Sequence, residues 1–310
     1  MVRWTFTFAG LFATFSVSSV SMSQNASGQE FKILAWNVES NRPNQAPVSD
    51  ANVLAMELET MLRSDATRSQ IVSLSEVEPK TFSIYVQAVA KGMQSEVDYV
   101  TTASGGYHDS DSVMLIVDKK RFEIVDTLEL HRFGGMKGNF NVETTNGDDL
   151  GELRARSPLA ARVRDLQSKK TFWVVANHLA RGEADLRTSQ AKMLGLWAQS
   201  QPDPVIAVGD FNFDYDFATQ KGNEGFKAML ESGVWQWLKP DPLIDSNWSD
   251  DRRVTDRRVD RYPDSLLDFV FVANGAKSWK GEADVVVRPN DFPDSDKTSD
   301  HRPMISRFTP

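Results

Sequence analysis

Short apolar runs recur along the chain, and polar segments separate them. Each run spans roughly 4 to 8 residues and is rich in β-branched and aromatic residues, which favours buried β-strands over helices. The runs cover residues 31–36, 71–74, 113–117, 172–176, 205–208 and 266–272. The pattern therefore predicts buried strands spread over most of the chain.

Helical periodicity fills several of the intervals between these runs, at residues 51–63, 81–92 and 184–199. In the last interval Leu186, Met193, Leu194 and Trp197 repeat with a helical period, so one face of that helix is expected to pack inward. Strands that alternate with helices and hairpins predict a mixed α/β fold of two packed sheets with helices outside. No internal repeat or low-complexity linker divides the chain, so we expect one domain over residues 31–309.

Composition and charge narrow the possible functions. The chain has 310 residues, of which 40% are hydrophobic, as in a folded globular protein of one large or two ordinary domains. Its formal net charge of −8 leaves no large basic field that would hold a polyanion non-specifically. Phosphate chemistry would therefore need local arginines or a metal ion. The absence of cysteine excludes disulfides, thiolate metal sites and cysteine nucleophiles.

Residues 1–23 have the layout of a secretory signal peptide. Arg3 precedes a long apolar stretch, and Ser21 and Ser23 form a small-x-small cleavage site. The alternative is a short membrane anchor, but the interleaved Thr, Ser and Gly residues suit a bilayer poorly. We therefore expect a secreted or periplasmic protein, with a polar linker at residues 24–30 and no stable membrane insertion after the signal is removed.

Two polar stretches are predicted to be surface loops. Residues 132–152 combine five glycines with three asparagines, a composition that suits an excursion from the fold. Residues 245–264 contain DDRRVTDRRVDRYPD, a locally basic patch on an acidic protein. This patch is either a solvated face of paired charges or a loop that faces phosphate, and the residues alone leave both interpretations open.

Polar residues repeatedly sit within or just beyond the apolar runs. They are Asn37, Glu76, Asn177, His178, Asp210, Asn212, Asp268, Asp300 and His301. Any one of them would suit an ordinary turn or strand end, but their number along one chain points to a shared site. Strand ends in α/β folds are where side chains from different elements converge.

The residue types in this set are chemically coherent. Carboxylate and amide side chains supply hard oxygen donors, which suit Mg²⁺, Mn²⁺ or Ca²⁺ and match a structural zinc site poorly. His178 and His301 can transfer protons near neutral pH. Carboxylate-held cations together with imidazoles fit hydrolysis at phosphorus, where the cation neutralises phosphoryl oxygens and a base activates water.

Six short motifs follow one another along the chain: AWNVES, SLSEVE, VVANHLARG, VGDFNFD, LDFVFV and TSDHRP. Together they resemble the deoxyribonuclease I-like members of the endonuclease/exonuclease/phosphatase superfamily over nearly all of residues 31–309. The resemblance implies a four-layered α/β sandwich, in which two mixed β-sheets pack face to face with helices on the outside. It also implies a metal-dependent hydrolase that acts on phosphoester bonds.

The resemblance implies roles for the oxygen-donor side chains. Asn37 and Glu76 match the family's metal-site residues, with Asp300 as a further ligand. The implied ion is Mg²⁺, with Mn²⁺ or Ca²⁺ as alternatives. Asp210 and Asn212 match the Gly-Asp-x-Asn pair that orients the attacking water and the scissile phosphate.

The resemblance also implies roles for the histidines and one arginine. His301 matches a general base or transition-state stabiliser, and Asp268 matches the carboxylate that fixes its tautomer. His178 matches a histidine that contacts phosphate or assists the leaving oxygen. Which histidine is acid and which is base stays open. Arg156 resembles a phosphate-contacting arginine, and the alternative for it is an ordinary surface arginine on a strand.

Three functions compete on these observations. The leading interpretation is an exported, metal-dependent phosphodiesterase, an endonuclease-type nuclease that binds nucleic acid transiently and acts as a monomer. The second changes the substrate to a phospholipid such as sphingomyelin or to a small phosphoester. Trp235, Trp237 and Trp248 are its candidates for entering a bilayer, and the alternative for them is a place in the core. The third is a non-catalytic binding module of the same fold. The retained histidines argue against it, because a binder needs no general base.

Overall fold

The computed structural model describes residues 29–38, 50–102, 112–130, 156–247, 264–288 and 299–310. The predicted signal peptide, most of the predicted linker and nearly all of the two predicted loops lie outside the described residues. The interpretations of those segments therefore stay predictions.

The described residues form two β-sheets, sheet A and sheet B, of six strands each. Sheet A contains β1 (Phe31–Asn37), β2 (Ile71–Val77), β3 (Val97–Thr101), β4 (Ser112–Asp118), β11 (Lys280–Val285) and β12 (Met304–Thr309). Sheet B contains β5 (Phe122–Glu129), β6 (Leu159–Asp165), β7 (Thr171–His178), β8 (Val205–Asp216), β9 (Trp235–Trp237) and β10 (Ser265–Ala273). The strand orders are β11-β12-β1-β2-β4-β3 and β5-β6-β7-β8-β10-β9.

Helices cover the outer faces of the two sheets. They are α1 (Ala51–Arg63), α2 (Phe82–Met93), α3 (Ala184–Ser200) and α4 (Glu224–Glu231), with 3₁₀ turns at Pro79–Thr81 and Asn274–Ser278. Helices α1 and α2 pack on each other over sheet A, and α3 and α4 do the same over sheet B. None of the described helices is long and apolar enough to cross a membrane.

The alternation of side chains along β1 shows how the layers are built. Phe31, Ile33 and Ala35 face the core between the two sheets. Leu34 and Trp36 face the opposite way, into the layer formed with α1 and α2. Because successive side chains of a strand point to opposite faces, a strand that is apolar at every position must be covered on both sides. The central strands therefore require the four-layered arrangement.

Parallel pairing at the centre of each sheet positions the site. Strands β1 and β2 run parallel in sheet A, as do β7 and β8 in sheet B. These four strands pack against one another across the core. Parallel strands end at the same edge of a sheet, so the carboxyl ends of all four strands meet on one side of the molecule.

Two irregularities in the sheets lie at this same edge. The register of β2 on β4 shifts between Leu74 and Val77, where Glu76 has a left-handed backbone with φ of 57°. The register of β10 on β8 shifts beyond Asp210, where Asn212 has a φ of 52°. An inserted residue of this kind bends a strand and re-aims its side chains, and such bulges concentrate next to active sites.

The four-layered α/β sandwich predicted from the sequence is confirmed. The predicted strands correspond to β1, β2, β4, β7, β8 and β10, and the predicted helices correspond to α1, α2 and α3. The structure favours the core alternative for two of the tryptophans, because Trp235 is 4% exposed and Trp237 packs partly buried against the same core. Trp248 lies outside the described residues.

We expect Gly209→Ala to destabilise the fold strongly, because two costs coincide at this position. Gly209 has a φ of 119°, and an added Cβ would lie 2.4 Å from the backbone oxygen of Asn177. Strain and overpacking together should lower the free energy of unfolding by about 3 kcal/mol or more in a denaturant titration.

Gly233→Ala is the matched control. Gly233 also has a positive φ, of 65°, but an added Cβ would meet nothing within 4 Å. Gly233→Ala should lower the free energy of unfolding by about 1 kcal/mol, which is the conformational cost alone. Equal losses in the two variants would show that the close approach of β7 to β8 is not a tight constraint.

Candidate active site

Three neighbouring strands of sheet B bring the central residues into one row. The register pairs His178 at the end of β7 with Asp210 of β8, and it pairs Asp210 with Asp268 of β10. Residues opposite each other on adjacent strands point to the same face, so the three side chains project together toward sheet A. Asn37 ends β1 of sheet A and reaches this row from the other side.

Asp210 lies at the centre of the cluster and is 1% exposed. Its Oδ1 accepts a hydrogen bond from the backbone N–H of Asn212 at 2.8 Å. Its Oδ2 accepts one from Nδ2 of Asn37 at 3.1 Å. The same Oδ2 lies 3.6 Å from Nε2 of His178 and 3.8 Å from Nε2 of His301. One buried carboxylate oxygen thus faces two imidazoles.

Opposing effects act on the ionisation of Asp210. Burial on its own would raise the pKa of this carboxyl. The nearby charges of His301 and Arg181, together with the N–H of Asn212, outweigh burial and hold the pKa below its usual range. Asp210 is therefore a carboxylate at neutral pH.

His301 is held by a second buried carboxylate. Its Nδ1 lies 2.8 Å from Oδ2 of Asp268, so the Nδ1 proton is donated to Asp268 and Nε2 faces Asp210. The backbone around the ring is fixed as well, because Trp36 donates to the His301 carbonyl at 2.8 Å. The N–H of His301 donates to Oγ of Ser299 at 2.9 Å. The ring position is thus determined from both sheets.

The charge on His301 follows from its neighbours. Burial lowers the pKa of the imidazole, but the contact with Asp268 and the charges of Asp300 and Asp210 raise it to about 10. Burial also raises the pKa of Asp268, and the His301 charge only partly opposes this. In the absence of a bound cation, the ring is therefore an imidazolium across the neutral pH range.

His178 is held by Arg156. Nη1 of Arg156 lies 3.1 Å from Nδ1 of His178, and Nη2 donates to the carbonyl of Leu179 at 2.8 Å. A guanidinium can only donate, so Nδ1 accepts and the ring proton resides on Nε2. That Nε2 lies 3.4 Å from Oε1 of Glu76 and 3.6 Å from Asp210. The two imidazoles thus approach Asp210 with different partners behind them.

Asn212 has one amide atom bound and one unsatisfied. Its Nδ2 donates to the carbonyl of Leu179 at 3.0 Å. Its Oδ1 is buried and has no hydrogen-bond partner in the described part of the chain. A buried acceptor without a donor costs free energy, and such an atom in a cleft matches a position that a water or substrate group would satisfy.

The candidate metal residues supply oxygen donors, but they are not assembled around one point. Nδ2 of Asn37 lies between the carboxylates of Glu76 and Asp210, at 3.0 Å and 3.1 Å from their oxygens. Oδ1 of Asp300 lies 3.7 Å from Nε2 of His301. No group of three His, Asp or Glu side chains is arranged to hold a metal ion within the described ranges. The donor types nevertheless fit a hard divalent cation, with Glu76, Asn37 and Asp300 as its ligands.

All but one of the polar residues singled out at the strand ends lie in this one cluster; the exception is Asn177, whose Nδ2 donates to the carbonyls of Val175 and Val208 inside sheet B. Asn37, Glu76, His178, Asp210, Asn212, Asp268, Asp300 and His301 are linked by contacts of 4 Å or less, directly or through Leu179 and Arg156. Arg156 is half-buried and bound to His178, which favours the site position over that of an ordinary surface arginine.

Helix α3 supports the cluster from behind, a role that the sequence analysis missed. Oε1 of Gln190 accepts from the backbone N–H of Ala180 at 2.8 Å, and its Nε2 donates to the Arg156 carbonyl at 3.0 Å. Nη1 of Arg187 donates to the carbonyls of Ala180 and Arg181. The signal that would have found them is two polar residues on the buried face of an amphipathic helix.

In the metal-free protein we expect the His301 imidazole to titrate near pH 10. In Asp268→Asn the titration should move down toward the ordinary histidine value, because the largest favourable charge is lost. NMR of the ring nitrogens in the presence of a chelator measures both values. The ion pair of His301 with Asp268 should stabilise the fold fully below about pH 6.5, and this contribution should be lost as pH rises toward about 10.

Asp118→Asn serves as the control for this titration. Asp118 ends β4 at the opposite edge of sheet A, where it accepts from Ser95 and from the backbone of Lys120. The His301 titration should be the same in this variant as in the unaltered protein. Adding Mg²⁺ to the unaltered protein should lower the pKa of His301, because a nearby cation disfavours the imidazolium. An ordinary His301 pKa without metal would contradict the described contacts.

We expect Gln190→Leu to lower both stability and any hydrolytic activity. The change leaves the N–H of Ala180 and the carbonyl of Arg156 without their partners, at a cost of about 1 to 3 kcal/mol for each group. Chemical denaturation measures the stability, and kcat/KM measures the effect on Arg156. Gln199→Leu, an exposed change on the same helix, should be close to neutral in both assays. Equal effects would exclude a positioning role for Gln190.

No curated protein sequence matches this chain. Several solved structures share the fold at low sequence identity, which bears on the fold alone. An endonuclease/exonuclease/phosphatase family protein from Bacteroides thetaiotaomicron has 16% identity, a TM-score of 0.62, and coverage of 91% of this chain and 98% of that one.

Two further neighbours carry more specific names. The mannosyl-6-phosphatase Bt3783 of Bacteroides thetaiotaomicron aligns at 16% identity and a TM-score of 0.60, over 90% of this chain and 99% of that one. TDP2 of D. rerio, complexed with a single-strand DNA product, aligns at 16% identity and a TM-score of 0.58, over 91% and 99%. The family model described as the endonuclease/exonuclease/phosphatase family matches residues 34–301. With this match and the fold, the chain belongs to the endonuclease/exonuclease/phosphatase family, whose members are phosphoesterase hydrolases.

Proposed function

We propose that the protein is an exported, divalent-metal-dependent phosphodiesterase that cleaves nucleic acid by in-line attack of water. The observation that carries this proposal is the single oxygen of Asp210, which faces the Nε2 atoms of two histidines held by different partners. A proton acceptor between two proton donors suits general acid–base hydrolysis at phosphorus. A binding module of the same fold would gain nothing from burying these charges.

The pKa directions support a division of roles. Asp210 is ionised because its pKa is lowered, so it is the group able to accept a proton from water. Asn212 bonds Asp210 through its backbone and offers the unsatisfied Oδ1 as an acceptor for the attacking water. Water attack forms a bond from oxygen to phosphorus, and the bond from phosphorus to the leaving oxygen breaks on the opposite side. The water proton passes to Asp210.

His301 then acts as the charged partner. With its pKa raised to about 10, it holds a proton on Nε2 at neutral pH and can stabilise negative charge on the phosphoryl group. It can also give that proton to the leaving oxygen. Of the two roles that the family resemblance allows, the raised pKa of the metal-free protein favours the transition-state stabiliser, and a bound cation that lowers this pKa would favour the general base.

His178 and Arg156 would bind the scissile phosphate. The Nε2 proton of His178 points into the cluster, and the Arg156 contact keeps it there. A divalent cation held by Glu76, Asn37 and Asp300 would neutralise phosphoryl oxygens that the protein's own acidic groups repel. Mg²⁺ is the first choice because the donors are hard oxygens.

Two structural neighbours point to different substrates for this chemistry. Among the structural neighbours, TDP2 is complexed with single-strand DNA, which favours a polynucleotide. The mannosyl-6-phosphatase neighbour favours the alternative of a small phosphoester. Export rests on the signal-like residues 1–23, and their polar and small positions fit removal better than anchoring.

Relaxation of supercoiled plasmid by the mature protein tests the proposal. We expect nicking with Mg²⁺ and none with a chelator. His301→Ala should lower kcat roughly 100-fold to 10,000-fold, because a positioned proton donor contributes about that much. His178→Ala should also lose activity. Added imidazole should partly restore His301→Ala, which separates lost chemistry from misfolding.

The outcomes divide the alternatives. Full activity in either histidine variant would refute the site. Intact plasmid together with phosphate release from a sugar phosphate would move the assignment to a phosphomonoester. Choline phosphate release from sphingomyelin vesicles would move it to a phospholipid. No turnover of any of these substrates with any divalent cation would leave the binding module.

A further inference from the structure

We propose that Arg181 binds the phosphate next to the scissile one, which makes it a specificity residue for polynucleotide strands over single phosphoesters. The inference rests on the proposed function and deepens it. Arg181 lies three residues after His178, on the segment that connects β7 to α3. Its side chain is exposed at the rim, whereas His178 and Asp210 are almost completely buried.

The partners of the other arginines make Arg181 stand out. Seven described arginines form ion pairs with a carboxylate: Arg63, Arg68, Arg121, Arg162, Arg164, Arg288 and Arg307. Arg156, Arg187 and Arg302 donate to backbone carbonyls. Within the described ranges, the Arg181 side chain has neither a hydrogen bond nor an ion pair.

The backbone that carries Arg181 is nevertheless fixed. Arg187 donates from Nη1 to the Arg181 carbonyl at 2.6 Å and to the Ala180 carbonyl at 2.8 Å. Gln190 accepts from the Ala180 N–H, and the Leu179 carbonyl accepts from Arg156 and Asn212. A cation on so constrained a segment loses little backbone freedom when it binds an anion. The position is preorganised without being neutralised.

The path of the chain places this cation beside the reaction centre. Arg181 follows Leu179 by two residues, and the N–H of Leu179 donates to the Asp210 carbonyl at 3.0 Å, while its carbonyl accepts from Asn212 at 3.0 Å. The scissile phosphate must reach the buried Asp210 and His178. A residue at the rim therefore meets whatever group lies next along the substrate. On a polynucleotide that group is another phosphate, and a guanidinium is well suited to bind it.

Kinetics with two substrates test the inference. Bis(p-nitrophenyl) phosphate has one phosphate and reports the chemistry alone. A short fluorescent DNA duplex has neighbouring phosphates. For Arg181→Gln, we expect unchanged kcat/KM on the small diester, because the larger influence of His301 still keeps Asp210 ionised. On the duplex at low salt, kcat/KM should fall about fivefold. The slope of log kcat/KM for the duplex against log salt should fall in magnitude by about 0.9, the value for one lost phosphate contact.

Two further variants sharpen the comparison. Arg181→Lys keeps the charge and should keep the salt slope. Arg164→Gln removes an exposed arginine on β6, paired in register with the start of β7 and so distant from the site. Arg164→Gln should leave kcat/KM on both substrates and the salt slope unchanged.

Each other result decides against the inference in a recognisable way. Equal kinetics of Arg181→Gln and the unaltered protein on both substrates would overturn it while the proposed function stands. Equal losses on both substrates would place Arg181 at the scissile phosphate instead. Turnover of the small diester without any cleavage of DNA would overturn the inference, because the substrate would then have no neighbouring phosphate for Arg181 to bind. Failure of the unaltered protein on both substrates would refute the proposed function, and the inference with it.

Discussion

The site depends on keeping one buried carboxylate, Asp210, charged. A carboxylate removed from water is costly unless donors and positive charges surround it, and here they come from four directions. Asn212 supplies a backbone N–H, Asn37 supplies an amide, His178 presents its Nε2, and the His301 imidazolium supplies charge. The parallel strand pairs, the bulges and the sheet packing are what bring these groups to one oxygen.

The second requirement is that each of those groups be held by something else. Asp268 holds His301, and Arg156 holds His178. Gln190 in turn holds the backbone of Arg156. Supporting contacts of this kind fix the orientation of the groups that meet the substrate, and they extend the functional part of the molecule into α3.

The sequence predicted the centre of the fold better than its edges. Strands β1, β2, β7, β8 and β10 are buried on both faces, so their apolar runs are unmistakable. Strands β3 and β5 lie at sheet edges and contain exposed charged residues, so no apolar run marks them. Strand β6 carries two arginines among its apolar residues for a similar reason. Where burial is partial, tertiary contacts decide the structure and local pattern does not.

The site residues were predictable from local pattern, and their partners were not; the pairing of Asp268 with His301 was expected from the family resemblance alone. Strand ends with polar residues can be read from one segment at a time. The contact between Asn37 and Asp210 joins residues 173 positions apart. The contact between Asp268 and His301 joins β10 of sheet B to the segment just before β12 of sheet A. Such pairings exist only once the sheets have packed. Gln190 was missed because its importance lies in two backbone groups that the sequence does not identify.

The division of the site between two sheets has a mechanical consequence. Asn37 and Glu76 belong to sheet A, whereas His178 and Asp210 belong to sheet B. The aromatic layer between the sheets, in which the Phe31 and Phe172 rings stack at 5.1 Å, therefore sets the spacing of groups that it never touches. A small sliding of one sheet over the other would separate the carboxylates while every strand stayed intact. Heat or pressure should therefore abolish hydrolytic activity under milder conditions than those that unfold the protein.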